Sequence, residues 1–200
     1  IETTTDIHYR QDIETGKIEY ISPSVKQLFG YNIEEFLNLQ IENHSKLYPP
    51  GEYISFHHFK IEIIRVLERG KTQIEDEFRI ICKNGEIKWV NANYFITCNQ
   101  NNKPQYINAV LRDITEKKRR ENEIIFNNLR LKGIINILQS KSSTVQEFLD
   151  LALNEALKLT ESKLGYIYWY NSKKKEFILN SWSKDVMNEC AVMNPQTCYE

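Results

Sequence analysis

The stretch Tyr20–Leu37, YISPSVKQLFGYNIEEFL, fits neither one helix nor one strand. Tyr20 and Ile21 close a strand-like run, Pro23 lacks a backbone donor, and Gly30 interrupts the apolar series Val25, Leu28, Phe29 before it can fill a long helix. Ser24 is placed to cap a short helix and Gly30 to end it in the left-handed conformation. Asn32 is placed to cap a second helix of about one to two turns, with Glu34 and Glu35 in its positive first turn and Phe36 and Leu37 facing inward. A chain broken this often builds a curved wall, whereas a straight helix would fill the space behind it.

Upstream, Ile7-His8-Tyr9-Arg10 and Ile18-Glu19-Tyr20-Ile21 alternate as strands do and flank DIETGK, whose Gly16 suits a hairpin turn. Downstream, Pro49-Pro50-Gly51 makes a turn, and Phe56, Phe59, Ile63, Val66 and Leu67 fall at helical spacing up to Gly70. Three strands follow over 72–82, 87–99 and 104–115, joined by KNGE and NQNNKP. Two strands, several short helices and three strands specify an α+β domain, a five-stranded antiparallel sheet with the helices on one face.

From Glu116 the period changes. Ile124, Leu131 and Leu138 recur every seven residues with Ile134 between them, which suits a helix with a dimer-forming seam. Asn127 takes the remaining seam position, where a buried polar residue fixes register and partner number at a cost in stability. The alternative is a helix packed on its own domain. At Thr144 a further helix begins, with Phe148, Leu149, Ala152 and Leu157 along one side, followed by strands at Tyr166–Tyr170 and Phe177–Trp182 around a lysine-rich turn. These strands should pair with each other and bury their aromatics on another chain or on the first domain.

Lysine plus arginine number 26 against 27 acidic residues, so no net field draws the chain to nucleic acid or an anionic membrane. EKKRR (Glu116–Arg120) is interleaved with glutamates and reads as a solvated helix face, and Lys173–Lys175 as a hairpin turn. The apolar runs are too short to span a bilayer. Cys82, Cys98, Cys190 and Cys198 lack zinc-ligand spacing and read as reduced thiols of a cytoplasmic protein, with a Cys190–Cys198 redox pair as a weaker alternative. Ile1 and the closing NPQTCYE read as the limits of a piece cut from a longer chain.

Three motifs in this order and spacing, YISPSVKQLFGYNIEEFL, DEFRIICKNGEIKWVNANYF (Asp76–Phe95) and YINAVLRDITEKKRRENE (Tyr106–Glu123), closely resemble a PAS sensory domain with its C-terminal PAC-type motif. STVQEFLDLALNEALKLTESKLGYIYWYN resembles the first part of a GAF domain, as these are joined in sensor histidine kinases. The expected organisation is a PAS domain over 1–115, a signalling or coiled-coil helix over 116–143 and an incomplete, GAF-like α/β segment over 144–200. The resemblance implies a cavity between the sheet and its helices, and a signal passed through Asp113-Ile114-Thr115 into the following helix.

Residues expected to face that cavity are Phe29, Tyr31 and Phe36 from the short helices, Phe59 and Ile63 from the long one, and Phe78, Ile80, Val90, Ala92, Tyr94, Ala109 and Leu111 from the sheet. Ala92 and Ala109 are small enough to leave room for a small-molecule ligand, although these side chains can equally fill a core. A reversed register would instead turn Asn91 and Asn93 inward. The cofactor is not assigned. Some PAS domains hold haem through a histidine on the long helix, which here would be His57 or His58, but the expected reading is a partly exposed structural histidine, and two adjacent helix positions cannot chelate one metal together. The Asn-Cys-Arg context of covalent flavin photosensors is missing. No triad context, phosphate loop, kinase phosphoacceptor box or diguanylate cyclase signature is found, so this segment is expected to be non-catalytic. The expected function is a cytoplasmic sensory and dimerisation module feeding a downstream kinase domain. The alternatives are a ligand-free assembly module or the sensory part of a cyclic-dinucleotide signalling enzyme.

Overall fold

The computed structural model describes residues 5–42, 44–183 and 198–199. The chain divides into two compact units, Ile1–Arg120 and Glu121–Glu200.

The first unit is an antiparallel five-stranded sheet in the order β2-β1-β5-β4-β3. Its strands are β1 (Ile7–Asp12), β2 (Ile18–Ile21), β3 (Gln73–Ile81), β4 (Ile87–Cys98) and β5 (Pro104–Asp113). Strands β2 and β3 occupy opposite edges, so the residues between them must cross the whole sheet. They do so as α1 (Ser24–Phe29), α2 (Ile33–Glu42), a 3-10 turn (His44–Leu47) and α3 (Phe56–Glu68).

Alternation decides which side chains meet these helices. On β4, Val90, Ala92, Tyr94 and Ile96 are buried while Trp89, Asn91, Asn93 and Phe95 lie on the other face. The inward faces of β1 and β5 contribute Ile7, Ile107, Ala109 and Leu111 to one core with Val25, Leu28, Phe29, Phe36, Leu47 and Ile63.

Two local expectations are corrected. Ser24 is not the cap of α1: Pro23 holds that position, no side chain caps the helix, and Ser24 is its first residue. The hydroxyl upstream is used instead, because Ser22 Oγ accepts from the His8 amide at 3.0 Å and ties the helix entrance to β1. Helix α2 runs ten residues rather than one to two turns. Its start is secured by a reciprocal box, in which the Glu35 amide donates to Asn32 Oδ1 at 2.8 Å and the Asn32 amide to Glu35 Oε2 at 3.1 Å.

Gly30 ends α1 at φ +81°, donating its amide to the Lys26 carbonyl. A β-carbon there would lie 3.3 Å from Lys83 Cβ.

In the second unit, α5 (Val145–Thr160) packs on a sheet in the order β6-β7-β8, formed by Tyr166–Asn171, Glu176–Trp182 and Cys198–Tyr199. The last residues of α4 (Thr115–Gln139) lie in this unit too. The buried apolar residue of α5 is Leu153, and Phe148 is exposed, which corrects the stripe read from sequence by part of a turn. Strands β6 and β7 pair with each other as expected. Tyr166, Trp169, Tyr170 and Phe177 remain exposed. Cys190 lies outside the described residues.

Gly30→Ala is expected to destabilise the first unit by about 1–2 kcal/mol from left-handed backbone strain alone, with a further loss from the Lys83 contact. Gly51, at φ +85° with nothing near its added β-carbon, is the control. Urea titration of both alanine variants should show the larger loss at Gly30; equal losses would mean that the Lys83 contact carries no energy.

Candidate functional site

All twelve residues expected to line a cavity lie on the helix-covered side of the sheet or in its wall. Nine of them, Phe29, Phe36, Ile63, Ile80, Val90, Ala92, Tyr94, Ala109 and Leu111, are buried, and Tyr31, Phe59 and Phe78 are partly buried against them. Their rings interlock. Phe59 and Tyr94 lie 4.8 Å apart between centroids, Phe29 and Phe36 6.1 Å, and Tyr31 and Phe36 6.3 Å.

The sheet register explains one of the small residues. Ala109 is paired with Tyr9 on one side and Tyr94 on the other. Both tyrosines project inward, and their phenols face each other above the alanine. The volume that a larger residue would take is therefore spanned by two phenols. Burial raises the pKa of both, most strongly through loss of solvation, and it does the same for Tyr48.

Tyr48 extends the aromatic wall, with its ring 5.6 Å from Phe78 and 5.7 Å from Tyr53. Asp76 stands opposite Ala92 on the same face of the sheet. It is exposed, and its charge contributes to the raised pKa values of Tyr48 and Tyr94. Tyr9, Tyr48 and Asp76 were not expected at this site. The first and last were legible, since Tyr9 follows Ile7 by two residues and Asp76 precedes Phe78 by two. Tyr48 sits beside a proline turn, where no periodicity shows its direction.

Two hollows lie elsewhere. A groove of about 440 Å³ on the sheet includes His8, Arg10, Tyr20, Phe95 and Asn108 in its lining. Another of about 410 Å³ runs beside Gly30, Cys82, Lys83 and Lys88. Cys82 is buried, and its thiol is pushed up in pKa by loss of solvation. His57 and His58 are exposed at the start of α3, and His58 Nδ1 lies 2.8 Å from the Ser55 hydroxyl. Among the described residues no three His, Cys, Asp or Glu side chains gather as metal ligands.

At the end of β5 the chain turns into α4 through a compact set of bonds. The Thr115 amide donates to Asp113 Oδ1 at 2.8 Å, the Trp89 amide to Thr115 Oγ1 at 3.0 Å, and the Ile114 amide to the Trp89 carbonyl at 2.9 Å. Ile114 itself is buried. Lys88 Nζ lies 3.2 Å from Asp113 Oδ2. Burial alone would raise the Asp113 pKa, but the Thr115 hydroxyl and amide, with Lys88, outweigh it and leave the carboxyl below its ordinary value. The junction is thus fastened to the start of β4 by backbone and side chain together.

Residues 18–111 match the family described as PAS fold. Over 184 residues, 90% of this chain but 17% of the relative, the sequence is 29% identical to the methyl sulfide methyltransferase-associated sensor of Methanosarcina acetivorans. It is 29% identical over 133 residues, 66% of this chain and 12% of the relative, to the sensor histidine kinase TmoS of Ectopseudomonas mendocina. The chain therefore spans less than a fifth of either curated relative. A sensory box histidine kinase/response regulator from Burkholderia thailandensis superposes with a TM-score of 0.47 at 17% identity, over 64% of this chain and 91% of that one. The chain is similar to regions of sensor proteins, a sensor histidine kinase among them.

The phenol pair yields a measurable asymmetry. Tyr9→Phe should cost about 1–3 kcal/mol by stranding the Tyr94 hydroxyl, while the Tyr9→Phe, Tyr94→Phe double variant should recover most of that loss. Because folding raises these phenol pKa values, stability should fall as pH climbs above about 10, where the unfolded chain gives up protons that the folded chain keeps. Denaturant titrations between pH 8 and 11 check this, and the double variant should show a weaker alkaline decline.

Proposed function

We propose that this chain is a cytoplasmic sensory and dimerisation segment of a multidomain signalling protein, a sensor histidine kinase whose catalytic domain lies outside it. In this reading, residues 1–115 sense and residues 116–143 transmit. Residues 144–200 are the N-terminal part of a GAF-like domain. The support from relatives is that both curated proteins are named sensors and one a histidine kinase.

The observation that carries the reading is the continuity from buried wall to helix. Val90 is paired with Asp113 across β4 and β5, so a change in the buried face reaches the Asp113-Ile114-Thr115 clamp within one strand. A small ligand that binds one arrangement of the wall more tightly shifts the population towards it. The candidate contacts are the aromatic residues around Phe59, Phe78 and Tyr94, with the phenols and Asp76 as polar partners. The clamp then alters how α4 leaves the sheet.

A second copy of this chain is the proposed partner of α4. Ile124, Leu131, Ile134 and Leu138 are 59%, 57%, 42% and 75% exposed, at the spacing of a two-stranded seam. Gly133 is buried on another side of the helix, where an added β-carbon would lie 3.4 Å from Glu155 and 3.5 Å from Leu159. One side of α4 is therefore occupied within its own unit while the heptad side is open. The rival in which the sheet itself docks a neighbour has less support. Much of its outer face is polar and satisfied internally, through Asn91 to Glu75, Asn93 to Asn91, Gln73 to Asn93 and Arg10 to Asn108.

Sedimentation equilibrium tests the partner. The chain should associate as a dimer, and Leu131→Asp should make it monomeric with unchanged circular dichroism. A dimer that survives this substitution would move the interface away from α4. Native mass spectrometry of the same samples reads the wall: co-purified mass lost in Ala109→Leu supports an occupied cavity, and bare protein in both supports the assembly module.

A further inference from the structure

Five side chains link the loop beside the aromatic wall to the first turns of α4. Glu52 takes both arms of Arg79, with Nε donating to Oε2 at 3.1 Å and Nη2 to Oε1. The Arg79 guanidinium carbon lies 5.7 Å from the centre of the Trp89 ring, and Lys118 Nζ lies 5.4 Å from the same centre. Lys118 also pairs with Glu77 at 2.5 Å. Arg79 and Trp89 are direct cross-strand partners, and Glu77 stands two residues from Arg79 on the same face of β3. The side chains are partly shielded, from 26% exposed at Lys118 to 40% at Arg79.

Two cations share one indole here. They can do so because each has its own carboxylate, Glu52 for Arg79 and Glu77 for Lys118. If Glu52 withdraws, the bare guanidinium repels Lys118 across the ring and competes for Glu77. Glu52 belongs to the turn between Tyr48 and Tyr53, so its position follows that of the wall.

We propose that Trp89 is a shared seat through which the loop over residues 49–55 sets the hold on the start of α4. This is a second route from the wall to the helix, through the Trp89 ring where the Asp113 clamp uses the Trp89 backbone, and it rests on the reading of this chain as a transmitting module. Glu52, Arg79 and Trp89 are positioning residues for α4. Movement of the loop that breaks Glu52 from Arg79 loosens Lys118 without any change in the backbone of β5.

Amide hydrogen exchange of the whole 200-residue chain tests this in the absence of any ligand. Glu52→Gln should quicken exchange at residues 118–121 about two- to fivefold, the size expected for loss of a cation–π contact. Lys118→Gln should do likewise, and the double variant should exchange no faster there than Lys118→Gln alone, because both act through one ring. The relay is overturned if Glu52→Gln quickens only residues 49–55, or if the two effects multiply. Since neither ligand nor output enters the measurement, a relay upheld by exchange stands even if signalling by the parent protein ignores Asp113, a result that would count against the transmission reading alone.

Discussion

The pairing of β1 with β5 is the constraint on which the rest depends. These are the first and last strands of the sheet in sequence, and their ladder from Ile7–Leu111 to Asp12–Tyr106 places them side by side. Hairpin partners then extend the sheet in both directions, which leaves β2 and β3 at opposite edges. The chain between them has to traverse the sheet. Because Pro23 and Gly30 break it early, it does so as a wall of short helices, and because β5 ends beside the middle of the sheet, α4 departs next to β4.

That arrangement puts the two faces of β4 to different uses. Its inward residues, Val90, Ala92 and Tyr94, belong to the buried wall, while outward Trp89 anchors the exit of the chain through its amide, its carbonyl and its ring. One strand thus carries both the buried surface and the fastening of the helix. The buried wall and the fastening of the helix are therefore separated by a single strand's thickness.

The order of elements along the chain, the hairpin turns at Gly16 and KNGE, the break at Gly30 and the inward set on β4 were all legible in the sequence. Alternation with period two reports facing directly, and glycine at a positive φ has few alternatives. Less legible were the ends of helices. Ser24 looked like a cap, yet the chain spends Ser22 on β1 instead, a choice that depends on a residue fourteen positions away. The length of α2 and the buried side of α5 were misjudged for a related reason, since both depend on what the helix meets and not on its own spacing.

The sequence by itself determined the order of elements and the inward residues of the sheet, because both are written in local periodicity. Only the tertiary structure decided what those residues do together. It placed Ala109 between Tyr9 and Tyr94, so that a small residue makes room for two facing phenols. It brought Glu52, Arg79 and Trp89 to Lys118 from three separate segments and a helix start. Such meetings are set by strand register and crossover geometry, which link positions up to about a hundred residues apart and leave no periodic mark on any one of them.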